Sequence, residues 1–340
     1  KGEKIDGYII PKNDEFFGEY IPDHKDRLKY ISDFTGSYGF ALILSDKNYL
    51  FVDGRYTLQA NNQSGKFFKI KTIPNELPRD ILLNKKLKIG FDSKLFTKKS
   101  LNSFFGKTNC EYIPLNKNLV DKIWIRKKGE LNNKFYKLPD SAVGENYKLK
   151  VNKIVVELKK SKSDFKFITA SENNAWLLNI RGNDSRYTPI PYSYILIDQK
   201  KNINFFGNLK KISPTFKKNF NGVKFIDINS TIKILLKIKK KKFIIDDTTC
   251  SIFFENIILK NNKILNSKDN IYFLKAIKTK SEIENIKKAH IYDGAALTKY
   301  LFWLKNNFFK KKITEISAAQ KLFNFRKKNK SFKFLSFPTI

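Results

Sequence analysis

The chain has 340 residues, 41% hydrophobic and 14% aromatic, which is enough for two or three compact domains and excludes a chain that is disordered throughout. Its formal net charge is +35, from 67 Lys and Arg against 32 Asp and Glu. Its cysteines, Cys110 and Cys250, lie far apart, which argues against a disulfide framework or a thiolate zinc site and fits a reducing compartment.

Short strands separated by polar turns are predicted in the first 130 residues. Glycines at 36 and 54 mark two of the turns, and a helix begins within 56–62. The stretch 127–147 has no clear period and is predicted to be a linker. Apolar runs predict strands at 5–11, 40–44, 49–52 and 87–91, and the segments 112–114 and 120–124 close this unit.

The next unit repeats this plan, with strands at 165–169, 194–198 and 203–206 and a turn at Arg181-Gly182. The shared order of strand, helical or loop segment, glycine turn and strand pair indicates two related α/β domains, although chance similarity of short strands is an alternative. A helix over 147–160 precedes the unit, and its predicted apolar face consists of Leu149, Val151, Ile154, Val155 and Leu158.

The last part of the chain is helical. Thr279 and Glu282 form a possible capping box, and a second helix is predicted over 314–328, followed by the start of a strand within 332–337. Because two helices and one strand cannot complete a compact domain, we expect the sequence to be part of a longer protein. The apolar residues at helical spacing are Ile283, Ile286, Ala289, Ala296, Tyr300 and Leu304 in the first helix, and Ile316, Ala319, Leu322 and Phe325 in the second.

The positive charge has two interpretations. A basic surface could attract nucleic acid or anionic lipid. However, the excess is nearly all Lys, whereas Arg is better suited to bidentate contacts with phosphates and bases. Lys is spread along the chain beside abundant Asn, Ile and Phe, so codon bias is the favoured explanation and a nucleic-acid partner is not expected. No apolar run approaches the ~18 residues of a membrane helix, so no membrane partner is expected.

Catalytic motifs are scarce. No phosphate-binding GxxxxGK[ST] or GxGxxG motif is present. His290 and Asp293 could form one edge of a metal site because residues three apart share a helix face, but a structural role is favoured. The pair Asp246-Asp247 follows a predicted strand and could also bind metal, although a strand-end turn is favoured.

Two polar motifs at strand ends are better candidates. In DGRY, the glycine allows a tight turn and the guanidinium of Arg55 could bind a carboxylate or a peptide carbonyl, the alternative being an interdomain salt bridge. In WLLNIRGND, Arg181, Asn183 and Asp184 could line a domain interface, although a structural role is favoured. The residues alone indicate an α/β protein without a visible catalytic set.

These segments resemble the long, three-domain Xaa-Pro aminopeptidase family. The similarity follows family order along the whole chain, and DGRYTLQ, WLLNIRG and LSFPTI are family-typical pieces. The resemblance implies two creatinase-like N-terminal domains, each a mixed sheet with flanking helices, at 1–130 and 145–271. It also implies that 272–340 contains the first helices of an incomplete α+β pita-bread catalytic domain.

The family removes an N-terminal residue that precedes proline from short peptides, using two divalent metal ions, usually Mn²⁺. Its ligands, two Asp, one His and two Glu, follow the position of LSFPTI, so the resemblance implies no catalytic or metal-binding residue here and places the ligands beyond Ile340. Arg55 matches an arginine that contacts substrate. The resemblance also implies a cytoplasmic homodimer, in which this segment alone is inactive.

The sequence departs from the family pattern at two loops. Two functions other than an Xaa-Pro aminopeptidase also fit the sequence. The family's DAHQSEY reads DEFFGEY at 14–20, and its FTGSAG reads FTGSYG with Tyr38. One alternative is a non-catalytic creatinase-fold binding module or pseudoenzyme that binds acidic partners, and another is a prolidase or creatinase. DGRYTLQ and WLLNIRG favour the peptidase over the binding module, and the double N-terminal arrangement and ITEISAAQKL argue against the other enzymes.

Overall fold

The structure is a computed structural model that describes residues 4–126, 133–310 and 312–339. Its first unit contains six strands and five helices in the order β1 (Gly7–Pro11), α1 (Arg27–Ser32), β2 (Gly39–Leu44), β3 (Asn48–Asp53), α2 (Thr57–Ser64), β4 (Lys69–Ile73), α3 (Pro78–Leu82), β5 (Lys88–Phe91), α4 (Lys98–Phe105), β6 (Glu111–Pro114) and α5 (Leu119–Ile123).

The described remainder forms a second unit and a helical C-terminal part. The second unit contains β7 (Tyr136–Lys137), α6 (Asp140–Val143), α7 (Tyr147–Lys160), β8 (Phe165–Ile168), α8 (Ser171–Leu178), β9 (Ile180–Arg181), β10 (Ser193–Asp198), β11 (Ile203–Gly207), α9 (Pro214–Lys217), β12 (Val223–Asp227), α10 (Thr231–Lys237), β13 (Lys242–Ile245), α11 (Ile252–Leu259), β14 (Lys263–Asn266) and α12 (Ile271–Ala276). The C-terminal part consists of α13 (Lys280–Asn307) and α14 (Glu315–Lys327).

The two large sheets have the same topology. The strand order is β4-β3-β2-β1-β5-β6 in the first sheet and β12-β11-β10-β8-β13-β14 in the second. In both sheets the first strand lies centrally, pairs antiparallel with a hairpin on one side and pairs parallel with a later strand on the other. This common topology confirms the internal repeat and the mixed α/β fold class that the sequence predicts.

Both faces of the first sheet are buried beneath helices. Ile9, Leu42 and Phe51 face one core, while Tyr8 and Leu50 face the other. The second sheet is likewise covered on both faces, by α7 and α8 on one side and by α10 and α11 on the other. A sheet with two covered faces explains why its strands appear as continuous apolar runs rather than as alternating patterns.

Several sequence predictions are corrected by the structure. The described part of the predicted linker, 133–147, contains β7 and α6, whereas 127–132 lies outside the described residues. The described residues of 332–337 form no strand. Helix α7 has the predicted bounds, but Leu149 is 55% exposed and Lys150 is only 1% exposed, because the helix face that packs on α8 includes Lys150.

The C-terminal helices leave much apolar surface exposed. The capping box at α13 is confirmed, since the Thr279 hydroxyl accepts a hydrogen bond from Glu282 N at 3.2 Å and the Glu282 carboxylate accepts one from Thr279 N at 2.8 Å. However, Ala296 is the one buried hydrophobic residue in the described part of α13 and α14, and the predicted inward residue Ile316 is 83% exposed. No helix of the described residues has the length and apolar character needed to cross a membrane.

Candidate functional site

The DGRY motif forms a tight turn at the end of β3. Residues Gly54–Tyr56 make one turn of 3₁₀-helix, which Asp53 caps through its carboxylate. Asp53 Oδ1 accepts hydrogen bonds from Arg55 N at 3.0 Å and from Arg55 Nε at 2.9 Å. These bonds lower the pKa of Asp53, so its carboxylate stays ionised and holds the guanidinium in one orientation.

Arg55 extends from this turn into solvent. Its side chain is 70% exposed, and its guanidinium carbon lies 5.2 Å from the centre of the Tyr56 ring. Its ion-pair partner among the described residues is Asp53 of the same turn, and the described part of the chain shows no interdomain salt bridge of Arg55. Within the described part of the chain, Nη1 and Nη2 make no hydrogen bond. These two nitrogens are therefore available for bidentate contact with a carboxylate.

The FTGSYG loop lies against this turn. The Tyr56 and Ser37 hydroxyls are 2.7 Å apart, and Gln59 Nε2 donates to Thr35 Oγ1 at 2.7 Å. Burial, with a further contribution from the charge of Asp53, raises the pKa of Tyr38. We call this group the motif surface; it comprises Thr35, Ser37, Tyr38, Asp53, Arg55, Tyr56 and Gln59.

Close packing explains the first glycine of this loop. A Cβ on Gly36 would lie 2.2 Å from Cζ of the Phe34 ring, and Phe34 is fully buried. The loop can therefore pass over the core only with glycine at this position. Two sequence-predicted motifs thus form one polar surface with a single cation, which can bind a carboxylate or a peptide carbonyl.

The WLLNIRGND motif places its polar residues at two different junctions. Arg181 Nη1 donates to the carbonyl oxygens of Ala175 at 2.9 Å and Ile180 at 3.0 Å, next to α12 and the start of α13. Asp184 instead forms an ion pair with Lys211 and accepts a hydrogen bond from Tyr192 N at 2.8 Å. Asn183 is half-buried and contributes no described side-chain hydrogen bond.

The DEFFGEY loop joins the two units, which the sequence did not reveal. The Phe16 ring stacks on Tyr192 and Tyr194 of the second unit, with ring centres 4.2 and 5.2 Å apart. Tyr194 also donates a hydrogen bond to the carbonyl oxygen of Glu15 at 3.1 Å. The sequence shows that this loop matches a family motif. It carries no local signal for a contact between Phe16 and Tyr192, which lie 176 positions apart.

Charged residues strengthen the same junction. Burial alone would raise the pKa of Glu15, but the ion pairs with Lys25 and Arg27 outweigh it and lower that pKa below its usual range. Arg27 is itself buried and also pairs with Asp121 at 2.8 Å. The carboxylate of Glu15 therefore remains ionised and fixes the loop on its own unit while Phe16 contacts the other.

The other candidate metal ligands do not come together as a metal site in the described residues. Asp293 forms a two-nitrogen ion pair with Arg326 at 2.6 and 3.1 Å, and His290 is exposed. The buried Asp246 carboxylate accepts hydrogen bonds from Thr248 N and Asp269 N, both at 2.8 Å, as expected for a strand-end turn. Across residues 4–126, 133–310 and 312–339, no group of three or more His, Cys, Asp or Glu could hold a metal ion.

Sequence profiles described as "Creatinase/Prolidase N-terminal domain" match residues 1–122 and 127–282. The chain belongs to the creatinase/prolidase family. Xaa-Pro aminopeptidase 1 of Dictyostelium discoideum is 31% identical over the whole chain and is covered to 58% of its own length. A probable Xaa-Pro aminopeptidase P of Laccaria bicolor is 32% identical, again over the whole chain and over 55% of the relative.

A solved creatinase/prolidase relative supports the same grouping. The crystal structure of X-prolyl aminopeptidase from Caenorhabditis elegans superimposes with a TM-score of 0.89 at 25% identity, covering 98% of this chain and 57% of that one. That relative is described as a cytosolic enzyme with a di-nuclear active site. The chain therefore spans between 55% and 58% of the length of these three relatives.

Proposed function

We propose that this chain is the N-terminal and middle part of a metal-dependent Xaa-Pro aminopeptidase, which hydrolyses the N-terminal Xaa-Pro bond of short peptides. Similarity to Xaa-Pro aminopeptidases over the entire chain, together with the match to a solved X-prolyl aminopeptidase, is the observation that carries this proposal. On this proposal, residues 1–130 and 145–271 are the creatinase-like domains, and 272–340 begins a pita-bread catalytic domain. The exposed apolar side chains of α13 are consistent with a helix that belongs to a larger domain.

The described residues do not fit the two metal ions that the family implies. They contain no suitable group of metal ligands, and the carboxylate of Asp293 is already engaged by Arg326. We therefore propose that residues outside the described part of the chain hold two divalent ions, with Mn²⁺ the expected metal. No catalytic step is derived from the residues present.

We assign to Arg55 a role in binding peptide substrate. Asp53 holds the guanidinium through Nε, which leaves Nη1 and Nη2 exposed on the motif surface. Two parallel nitrogens of this kind match the geometry of a peptide carboxylate. The contact would favour substrates short enough to present that carboxylate at the motif surface.

The Arg55 assignment is tested with Arg55→Ala in the complete enzyme. We expect kcat/KM for peptides longer than a dipeptide to fall about tenfold, because a charge-assisted hydrogen bond to substrate is lost. The matched control is Arg186→Ala, which removes another exposed arginine whose partner, Asp23, lies 3.0 Å away. Unchanged kinetics in Arg55→Ala, or an equal loss in both variants, would remove Arg55 from the site.

Inactivity of this segment alone, a homodimer and a cytoplasmic location are also part of the proposal, and each can be measured directly. Residues 1–340 alone should not hydrolyse an Xaa-Pro peptide in the presence of Mn²⁺, and any metal-dependent cleavage would contradict this. A homodimer should appear in sedimentation of the complete enzyme. A cytoplasmic location is supported by the relative described as cytosolic and should appear in cell fractionation.

A further inference from the structure

A charged cleft lined by residues outside the motif surface lies where α8 meets α12 and the start of α13. Its volume is about 440 Å³, which lies within the range of roughly 300–1,000 Å³ typical of small-molecule sites. Glu172, Trp176, Arg181, Tyr272, Lys275 and Glu282 are among its lining residues.

Arg181 is the central cation of this cleft. Its Nη1 donates hydrogen bonds to the carbonyl oxygens of Ala175 and Ile180. Within the described residues, its Nε and Nη2 make no hydrogen bond and no carboxylate lies within ion-pair distance. Burial lowers the pKa of Arg181, and the charges of Tyr136 and Glu282 offset this only in part. A guanidinium in this state would gain from a bound anion.

Two lysines extend the positive charge of the cleft. Lys275 Nζ donates to Asn173 Oδ1 at 2.7 Å and lies 4.4 Å from the centre of the Tyr272 ring, and burial lowers its pKa. Lys278 Nζ donates to the carbonyl oxygen of Lys275. Neither lysine forms an ion pair within the part of the chain that the structure describes.

The acidic residues of the cleft already have donors of their own. Glu172 Oε1 accepts a hydrogen bond from the Tyr272 hydroxyl at 2.7 Å. Glu282 Oε2 accepts one from Thr279 N at the start of α13. Among the described residues, the three cations of the cleft lack an ion-pair partner, while each acid accepts a hydrogen bond. Trp176 and Ile190 provide an apolar wall.

We propose that this cleft binds a small carboxylate ligand, with Nε and Nη2 of Arg181 as its main contacts. A planar guanidinium with two available nitrogens recognises a carboxylate better than it recognises a halide, because the fork matches two oxygens. The apolar wall would receive an aliphatic substituent of the ligand. The proposal concerns binding only and does not depend on peptidase activity.

Isothermal titration calorimetry of the purified 340-residue protein with sodium acetate and with L-leucine tests the proposal, using sodium chloride at matched ionic strength as the reference. We expect saturable binding of at least one carboxylate and none of chloride. Tighter binding of L-leucine than of acetate would show that the cleft prefers the α-carboxylate of an amino acid. Equal affinity for the two would show that it binds a simple organic acid.

Arg181→Gln should weaken carboxylate binding about tenfold, the effect of losing a hydrogen bond to a charged group. Arg186→Gln removes the same charge from an exposed position elsewhere and should leave the affinity unchanged. Lys278→Gln should weaken binding about two- to threefold and serves if Arg181→Gln fails to fold. Absence of saturable binding, or equal affinity in the wild type and in whichever cleft variant folds, would overturn the proposal.

Discussion

Replacing Gly144 with alanine tests how the second unit holds the start of α13. Gly144 follows α6 with a left-handed φ of +68°, and a Cβ there would lie 2.5 Å from Thr279 Oγ1 and 2.9 Å from Thr279 Cβ. The same hydroxyl donates to the carbonyl oxygen of Val143 at 3.0 Å and accepts Glu282 N in the capping box. An added methyl group must therefore displace the residue that caps α13.

The expected loss in the free energy of unfolding has two parts. A non-glycine residue in the left-handed region costs about 1–2 kcal/mol. Loss of an N-cap costs about 1 kcal/mol. Gly144→Ala should therefore destabilise the protein by about 2–3 kcal/mol, measured by urea unfolding followed by circular dichroism.

Alanine substitutions at two other glycines distinguish the backbone cost from the cost of the lost cap. Gly222 has a φ of +81° with no atom within 4 Å of an added Cβ, so Gly222→Ala should show only the backbone cost of about 1–2 kcal/mol. Gly294, in α13, also has open space around an added Cβ, and Gly294→Ala should stabilise the helix by about 0.5–1 kcal/mol. If Gly144→Ala lowers the free energy of unfolding no more than Gly222→Ala does, the Thr279 contact does not support α13.

Two further predictions concern buried contacts of the second unit. Burial lowers the pKa of Lys150 from 10.5 to about 8, so between these pH values the unfolded chain holds a proton that the folded chain has lost. The stability of the wild type relative to Lys150→Met should therefore rise with pH across this window, by at most about 1.4 kcal/mol per pH unit, and parallel stability curves would contradict this. Phe16→Ala should lower the free energy of unfolding, measured in urea, by about 2–3 kcal/mol, because the stack on Tyr192 and Tyr194 is lost. The control Phe67→Ala, at an exposed position, should lower it by less than about 0.5 kcal/mol. An equal effect of both phenylalanine changes would show that Phe16 does not join the units.

The central strands and the helix caps could be predicted from the sequence because their signals are local. β2 and β3 appear as apolar runs separated by a polar turn, and Thr279 and Glu282 carry the capping pattern within four residues. The sequence does not predict the two edge strands β4 and β12, and the reason is physical. β4 reads KIKTI and β12 reads VKFID, and residues at a sheet edge are only partly buried, so their apolar pattern is weak.

Which side chains are buried depends on tertiary contacts that the sequence does not show. Lys150 is buried because its ammonium donates to Asn179 Oδ1 at 2.7 Å and to the Trp176 carbonyl oxygen at 3.0 Å, at the end of α8. Helical periodicity assigns lysine to solvent and therefore predicts Leu149 on the buried face instead. The DGRY motif predicts Arg55, and its partner Asp53 lies in the same turn. The approach of Tyr38 to Asp53, however, depends on a second loop that meets this turn only after folding.

A cleavage assay with the complete translation product of the gene tests the peptidase assignment. Two peptides that differ only in proline or alanine at the second position are incubated with the enzyme and Mn²⁺, and released N-terminal residues are measured. We expect cleavage of the proline peptide alone, loss of activity on chelation and recovery when metal is returned. Absence of cleavage, or equal cleavage of both peptides, would contradict the assignment as a metal-dependent Xaa-Pro aminopeptidase.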